Sequence, residues 1–216
     1  MADFLVHDLK NPVSSIELQA QRVLRDPQAS PRAISAATAI RAETRSLMRM
    51  ITNLLDVARA DEGRLAPARA ELEVASLVEL VFDELRPLAA DSDIELVSAP
   101  GSARLVADPD LVHRVLANLV ENAVRHAPAE SAVCVSVQER DGATEIRVRD
   151  HGAGIPADRR EAIFDRFATG ERLDGHHRGL GLTFCKLAVE AHGGRIWIED
   201  AAPGAVFCAR FPHAAR

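Results

Sequence analysis

The residues best suited to chemistry fall in four short stretches spread over 216 positions. Near the start, His7 stands beside Asp8 and four residues before Asn11. On a helix His7 and Asn11 share a face one turn apart, and the Asp8 carboxylate can approach the imidazole from the side. Far downstream, Asn118 and Asn122 repeat the four-residue spacing, with Arg125 and His126 following. Asparagine amide oxygens are hard, neutral ligands, suited to a Mg2+ ion that also contacts phosphates. Next come Asp150, Gly152, Gly154 and Ile155 at the end of a strand pattern. A carboxylate there can accept hydrogen bonds from an exocyclic amine, and the glycines let the backbone approach a planar ligand. Last, Arg178, Gly179, Leu180, Gly181 and Leu182 open directly into a helix pattern, where backbone amides can cradle phosphate oxygens. Taken singly, each stretch has a plainer reading: a surface histidine on a helix kinked by Pro12, two solvated asparagines, a strand-to-loop turn, a helix start with glycine at its cap.

The elements that must position these residues can be read from periodicity. Leu5, Leu9, Val13 and Ile16 are spaced four, four and three, an apolar stripe on a helix expected over about 2–25, with His7 off that stripe. Asp26 to Pro31 makes a turn, with Ser30 as N-cap and Pro31 at the first helical position. A long second helix follows. Ala37, Ile40, Thr44, Leu47, Ile51, Leu54 and Ala58 repeat at three and four as a heptad seam, with Thr44 its one polar member, until Asp61, Glu62 and Gly63 end it. At 1.5 Å per residue this helix reaches roughly 45 Å, too long for two lone helices to cover their own apolar faces. Pairing two hairpins into a homodimeric four-helix bundle is the simplest remedy.

After Leu65 helices alternate with strands. A helix over 75–90 precedes short strands at 94–97 and 104–106, and Asp108 can cap a helix over 109–127 that has Pro109 just inside it and Pro128 after it. On that helix Leu111, Val115, Leu119 and Ala123 occupy a different face from the asparagines. Strands over 132–139 and 145–149 form a hairpin about Asp141 and Gly142. A helix over 180–192 and strands at 195–199 and 205–211 complete a mixed sheet with helices on one side, an α+β sandwich. Between Pro156 and Arg178 lies a long polar segment, of the kind that forms a lid, with Phe164 and Phe167 placed to anchor it by burial.

Composition narrows the function classes. Hydrophobic residues make up 47% of the chain and mean hydropathy is -0.05, ordinary for a globular protein with room for two domains. A net charge of -6 and a pI near 5.8 argue against nucleic acid or an anionic membrane as the main partner. Cys134, Cys185 and Cys208 stand far apart, giving neither a disulfide framework nor a zinc site. No apolar run is long enough to cross a bilayer, and the N-terminus lacks the form of a signal peptide, so a cytoplasmic location is expected.

Taken in order, these stretches resemble one family. Asn118 to His126, Asp150-x-Gly152-x-Gly154, Phe164-x-x-Phe167 and Gly179-x-Gly181-Leu182 stand in the order of the N, G1, F and G2 boxes of the histidine kinase ATP-binding domain. Phe4 to Val13 is similar to the H-box of the dimerisation and phosphotransfer domain. Five ordered motifs are far more specific than any one of them, and the plainer readings would have to hold together. The resemblance implies residues 1–63 as a dimerisation and phosphotransfer hairpin, and 64–216 as an ATP-binding α/β sandwich of the Bergerat type. It implies ATP and Mg2+ as cofactors and a response regulator receiver domain as partner. By the same resemblance His7 is the phosphoacceptor, Asp8 orients its ring and helps remove its proton, Asn122 is the Mg2+ ligand, and Asn118 lies close to metal and phosphates. Arg125 and His126 lie near the nucleotide, Asp150 reads the adenine amine, and Gly179 and Gly181 belong to a phosphate-facing lid. Asp8 followed three residues on by Asn11 looks like the family's phosphatase motif, which implies a bifunctional enzyme.

The pattern also has departures. Val6 stands where a small hydroxyl residue is common, Thr169 where a basic residue follows the F box, and His177 where a further glycine is usual, so Arg172, His176, His177 or Arg178 would meet phosphates instead. Two rivals are weaker. ATPases of the gyrase and mismatch-repair type place a glutamate base where this chain has Asn118, and a non-catalytic scaffold would not keep Asn122, Asp150 and the glycines. The chain is expected to be either a soluble stand-alone kinase or the catalytic core of a longer protein, the start three residues before Phe4 favouring the second expectation.

Overall fold

The computed structural model describes residues 2–99, 101, 103–165 and 180–213, with side chains from residue 10 onward. The chain divides into two compact units, residues 1–64 and 65–216.

The first unit is an antiparallel helical hairpin of α1 (Ala2–Arg25) and α2 (Pro31–Asp61). Ser30 caps α2, its Oγ accepting from the Ala33 amide at 3.2 Å, and α1 continues past Pro12 to Arg25. Val13 packs with Ile51 and Leu55 as a small core with Met48 against it. Within one copy, α1 covers only part of the α2 heptad seam. Ala37, Thr44 and Ile51 are buried, whereas Ile40, Leu47 and Leu54 are 42–50% exposed. The reason is geometric: in a two-helix pair only one side of the seam can face the neighbour, and the alternate positions point about 50° away from it. Ile16, the last member of the α1 stripe, is also half exposed. Thr44 is buried without cost because its hydroxyl donates to the Ile40 carbonyl at 2.6 Å.

The second unit runs β1 (Ala70–Glu73), α3 (Val74–Asp91), β2 (Ile94–Ala99), β3 (Arg104–Ala107), α4 (Pro109–His126), β4 (Ser131–Arg140), β5 (Ala143–Arg149), two short 3-10 turns at Ala157–Arg159 and Ala162–Phe164, α5 (Leu180–Ala191), β6 (Arg195–Asp200) and β7 (Ala205–Pro212). Five strands form a mixed sheet in the order β2-β4-β5-β7-β6, parallel only between β2 and β4. The β4–β5 hairpin turns on Asp141 and Gly142, both with positive φ, the twist a two-residue hairpin requires. Its register pairs Val135 with Val148 and Val137 with Ile146, so one face of the sheet is uniformly apolar. That face continues through Phe207, Ala209 and Phe211 of β7 and is covered by α3, α4 and α5. β1 and β3 pair as a separate two-stranded sheet, a feature the polar Ala-Glu-Leu-Glu run gave no sign of. The expected α+β sandwich is therefore present, and all three cysteines are free.

Candidate functional site

The site is built on α4. Asp108 caps the helix, its Oδ1 accepting from the amides of Asp110 (3.0 Å) and Leu111 (3.1 Å), while Oδ2 accepts from the Ala68 amide at 2.8 Å. With its start fixed, α4 buries Leu111, Val115, Leu119 and Ala123 against the sheet and turns Asn118 and Asn122 to the half-buried opposite side. Among the described residues the Asn122 side chain makes no hydrogen bond, so its amide oxygen can bind a ligand. Arg125, assigned from resemblance to the nucleotide's surroundings, donates through Nη2 to Oε1 of the buried Glu121 at 2.8 Å, which tethers the guanidinium to the helix. His126 is exposed at the end of α4.

Asp150 sits at the end of β5 and is only 3% exposed. Its Oδ1 accepts from the amides of Gly152 (2.8 Å) and Ala205 (3.3 Å). Among the described residues nothing donates to Oδ2, so a buried carboxylate holds one oxygen ready for an incoming donor. The glycines that follow have a reason in the protein itself. A Cβ on Gly152 would lie 2.4 Å from the His126 carbonyl oxygen, and one on Gly154, where φ is +73°, would lie 2.9 Å from the Gly204 carbonyl oxygen. Gly204 in turn has φ of +98° and would place a Cβ 2.0 Å from the Asp150 carbonyl oxygen. The Asp150 loop is thus clamped between the end of α4 and the turn before β7, and Ile155 is held by its carbonyl accepting from Arg160 Nε at 2.9 Å.

α5 forms the neighbouring wall. Leu180, Gly181 and Leu182 make its first turn, and a Cβ on Gly181 would stand 3.4 Å from Asn118 Oδ1, so that turn lies directly against the asparagine. Farther along, Arg114 lies over the Phe184 ring at 4.0 Å, and the Cys185 thiol donates to the Val115 carbonyl at 3.7 Å. Burial pushes that thiol up to about 12, with the Asn118 amide beside it pulling the other way, so Cys185 is a packing residue rather than a nucleophile. Phe164 is buried, as expected from the sequence. A second cluster of candidate ligands, Glu145, Glu199 and Cys208, is already served by the Arg147 guanidinium, which pairs with both glutamates.

The residues expected at the site are therefore brought together in part. Asn118 meets Gly181, and the Asp150 loop meets the end of α4 at His126. Arg178 and Gly179, with Phe167, Thr169, Arg172, His176 and His177, lie outside the described residues, as do the side chains of His7 and Asp8, although both belong to α1. Asn11 is exposed on α1. Sequence reasoning missed Glu121, Gly204 and the buried His192. Gly204 could have been found as a turn residue, but not its contact with a loop fifty positions earlier.

Comparison with known proteins accords with this geometry. The family model for the histidine kinase-, DNA gyrase B- and HSP90-like ATPase matches residues 107–215, and that for the His Kinase A (phospho-acceptor) domain matches residues 1–63. Sensor protein IrlS of Burkholderia pseudomallei is 34% identical over 91% of this chain, and the sensor-like histidine kinase SenX3 of Mycobacterium tuberculosis is 30% identical over 95%. The chain covers 43% and 52% of those two proteins, about half their length. The full-length ShkA structure in complex with AMPPNP superposes over 100% of this chain and 46% of its own, with a TM-score of 0.75 and 26% identity. Among the described residues no helix is long and apolar enough to cross a membrane. With a phospho-acceptor hairpin followed by an ATPase-type sandwich, the chain belongs to the histidine kinase family.

Proposed function

We propose that this chain is an ATP-dependent protein histidine kinase that autophosphorylates His7, passes the phosphoryl group to an aspartate of a response regulator receiver domain, and also removes it from that regulator. The observation that carries the nucleotide part is Asp150: a buried carboxylate whose one oxygen is occupied by two backbone amides and whose other oxygen has no donor among the described residues. Such a group fits an exocyclic amine, and the adenine of ATP supplies one. Asn122 and Asn118 would hold a Mg2+ ion, whose charge offsets that of the phosphates. The first turn of α5 offers backbone amides beside Asn118, where phosphate oxygens fit.

In the transfer step a ring nitrogen of His7 attacks the γ-phosphorus, the bond to the bridging β-phosphate oxygen breaks, and ADP leaves. Asp8 orients the ring and takes its proton. The protein's contribution is positioning and charge neutralisation. The receiver's aspartate then takes the phosphoryl group from His7, and Asn11 orients the water that later hydrolyses the aspartyl phosphate. Dimerisation through the hairpin is supported by the half-exposed Ile16, Leu18, Ile40, Leu47 and Leu54.

Incubation with γ-labelled ATP and Mg2+ tests the reading. Acid-labile, base-stable label on the protein is expected, lost in His7→Gln and kept in Asn11→Ala, which loses only dephosphorylation of the regulator. Free phosphate without labelled protein would favour a simple ATPase, and no label at all would sink the kinase.

A further inference from the structure

Three rungs join α4 to α5 as an antiparallel pair. Asn118 meets Gly181, Val115 accepts from Cys185, and at the far end Asp108, the cap of α4, meets His192, the residue after α5. The last rung is the polar one. The Asp108 amide donates to His192 Nε2 at 2.9 Å, and His192 Nδ1 lies 2.7 Å from the Ala188 carbonyl oxygen. An amide donor needs a lone pair on Nε2, and a carbonyl needs a proton on Nδ1, so the two contacts together specify one neutral tautomer. His192 is 4% exposed, with Phe211 of β7 edge-on at 5.6 Å. The charged groups facing it are Asp108 on one side and, on the other, Arg69, whose Nη2 donates to the His192 carbonyl at 3.3 Å. Arg69 and Ala68 belong to the segment just after the hairpin, and Ala68 donates to the same Asp108 that caps α4.

We propose that His192 is a positioning residue for the nucleotide site: its neutral ring latches the end of α5 to the cap of α4 and so sets the register of the Gly181 turn against Asn118. The proposal rests on the ATP-site reading above and extends it to a residue at the opposite end of both helices. Protonation at Nε2 would set an N–H against the Asp108 N–H, with Arg69 close by, and open the latch. Burial holds the ring below the ordinary imidazole range, so the latch is closed at neutral pH and opens only in acid. The latch also offers a route by which the segment 65–69 bears on α4 and α5, since both of its contacts end on latch residues.

The test uses the full chain and two readouts. Nitrogen-15 NMR of the nucleotide-free protein should find His192 as the Nδ1–H tautomer, still neutral at pH values where a free imidazole is half protonated. Binding of Mg2+-AMPPNP is then measured near neutral pH and at the acid pH where the NMR titration finds His192 protonated, for the wild type and for His192→Gln, which keeps an acceptor toward Asp108 but carries no titrating ring. The wild type should lose about fivefold more affinity on acidification than the variant, the lower end of ordinary coupling between sites. Protection of the Asp110 and Leu111 amides, taken as exchange relative to the intrinsic rate at each pH, should fall in acid only in the wild type. An Nε2–H tautomer or an ordinary titration would overturn the latch, and parallel pH profiles would overturn its coupling to the site. A correct tautomer in a wild type that binds no nucleotide at either pH would instead refute the ATP-site reading, and the coupling with it.

Discussion

The two units solve the problem of burying apolar surface to different degrees. In the second unit Val112, Leu119, Val120, Ala123, Phe184 and Cys208 are fully buried between helices and sheet. In the hairpin the clustered core is Val13, Ile51 and Leu55, and seven of the ten exposed large hydrophobics of the described residues lie there, from Ile16 to Leu54. The difference teaches that the sandwich buries its apolar residues within one copy, whereas the hairpin leaves apolar surface uncovered, as the proposed pairing of two hairpins requires. A sheet covered by three helices closes on itself; two helices can shield only the stripe each turns to the other.

The strongest way to break this comparison is to cut into the finished core. Leu119→Ala removes a fully buried side chain, and should cost about 3–5 kcal/mol. Trp197 is the sole tryptophan and lies in the second unit, so its fluorescence during chemical denaturation reads that unit alone. The midpoint should fall by the same amount at every protein concentration. A concentration-dependent shift would show that the sandwich, too, is completed by a second copy.

The hairpin should answer in the opposite manner. Leu47→Ala with Leu54→Ala trims side chains that a single chain leaves 42–50% exposed. At roughly 1 kcal/mol per half-buried leucine and four such leucines per dimer, the dimer should weaken by about a thousandfold. Sedimentation measures it, while the Trp197 transition should stay where it was. An unchanged dimer would mean that these leucines are not its contact.

These contrasts also explain what could be read from the amino-acid order. The α4 asparagines were legible because a capped, strongly periodic helix separates its faces by spacing alone, and Asp108, Pro109 and Pro128 mark its ends. The hairpin's two helices were equally plain, and its heptad seam marks a surface that one neighbouring helix covers only in part. Period seven says which residues recur on a surface, not whether one partner or two will cover it. Asp150 stood out by its glycines, but the physical reason for them, a clamp by the His126 and Gly204 carbonyls, joins stretches far apart in the chain and has no local signature. β1 was invisible because four residues with no buried side stand as a strand only through pairing with β3. His192 was hidden for a related reason: a histidine before a Gly-Gly turn reads as a helix end, and its partner Asp108 is 84 positions away.

The smallest expected effect sharpens the comparison at the level of caps. Ser30 and Asp108 both begin a helix followed by proline, but Ser30 is exposed and accepts one amide, whereas Asp108 accepts three and brings a charge to the helix start. Ser30→Ala should therefore cost about 0.5 kcal/mol, seen as lost helicity in the hairpin, and Asp108→Ala about 2 kcal/mol, seen at Trp197. Asp108→Asn separates the causes, since it keeps the acceptor for Asp110 and Leu111 while removing the charge. If the asparagine variant were as unstable as the alanine one, the charge or the Ala68 bond to Oδ2 rather than the bonds to Asp110 and Leu111 would be holding the helix, and only in the first case should salt narrow the gap between wild type and both variants. If all three substitutions cost the same, the cap of α4 would carry no more than an ordinary helix start, and the contrast between a finished and an unfinished unit would not extend to the ends of their helices.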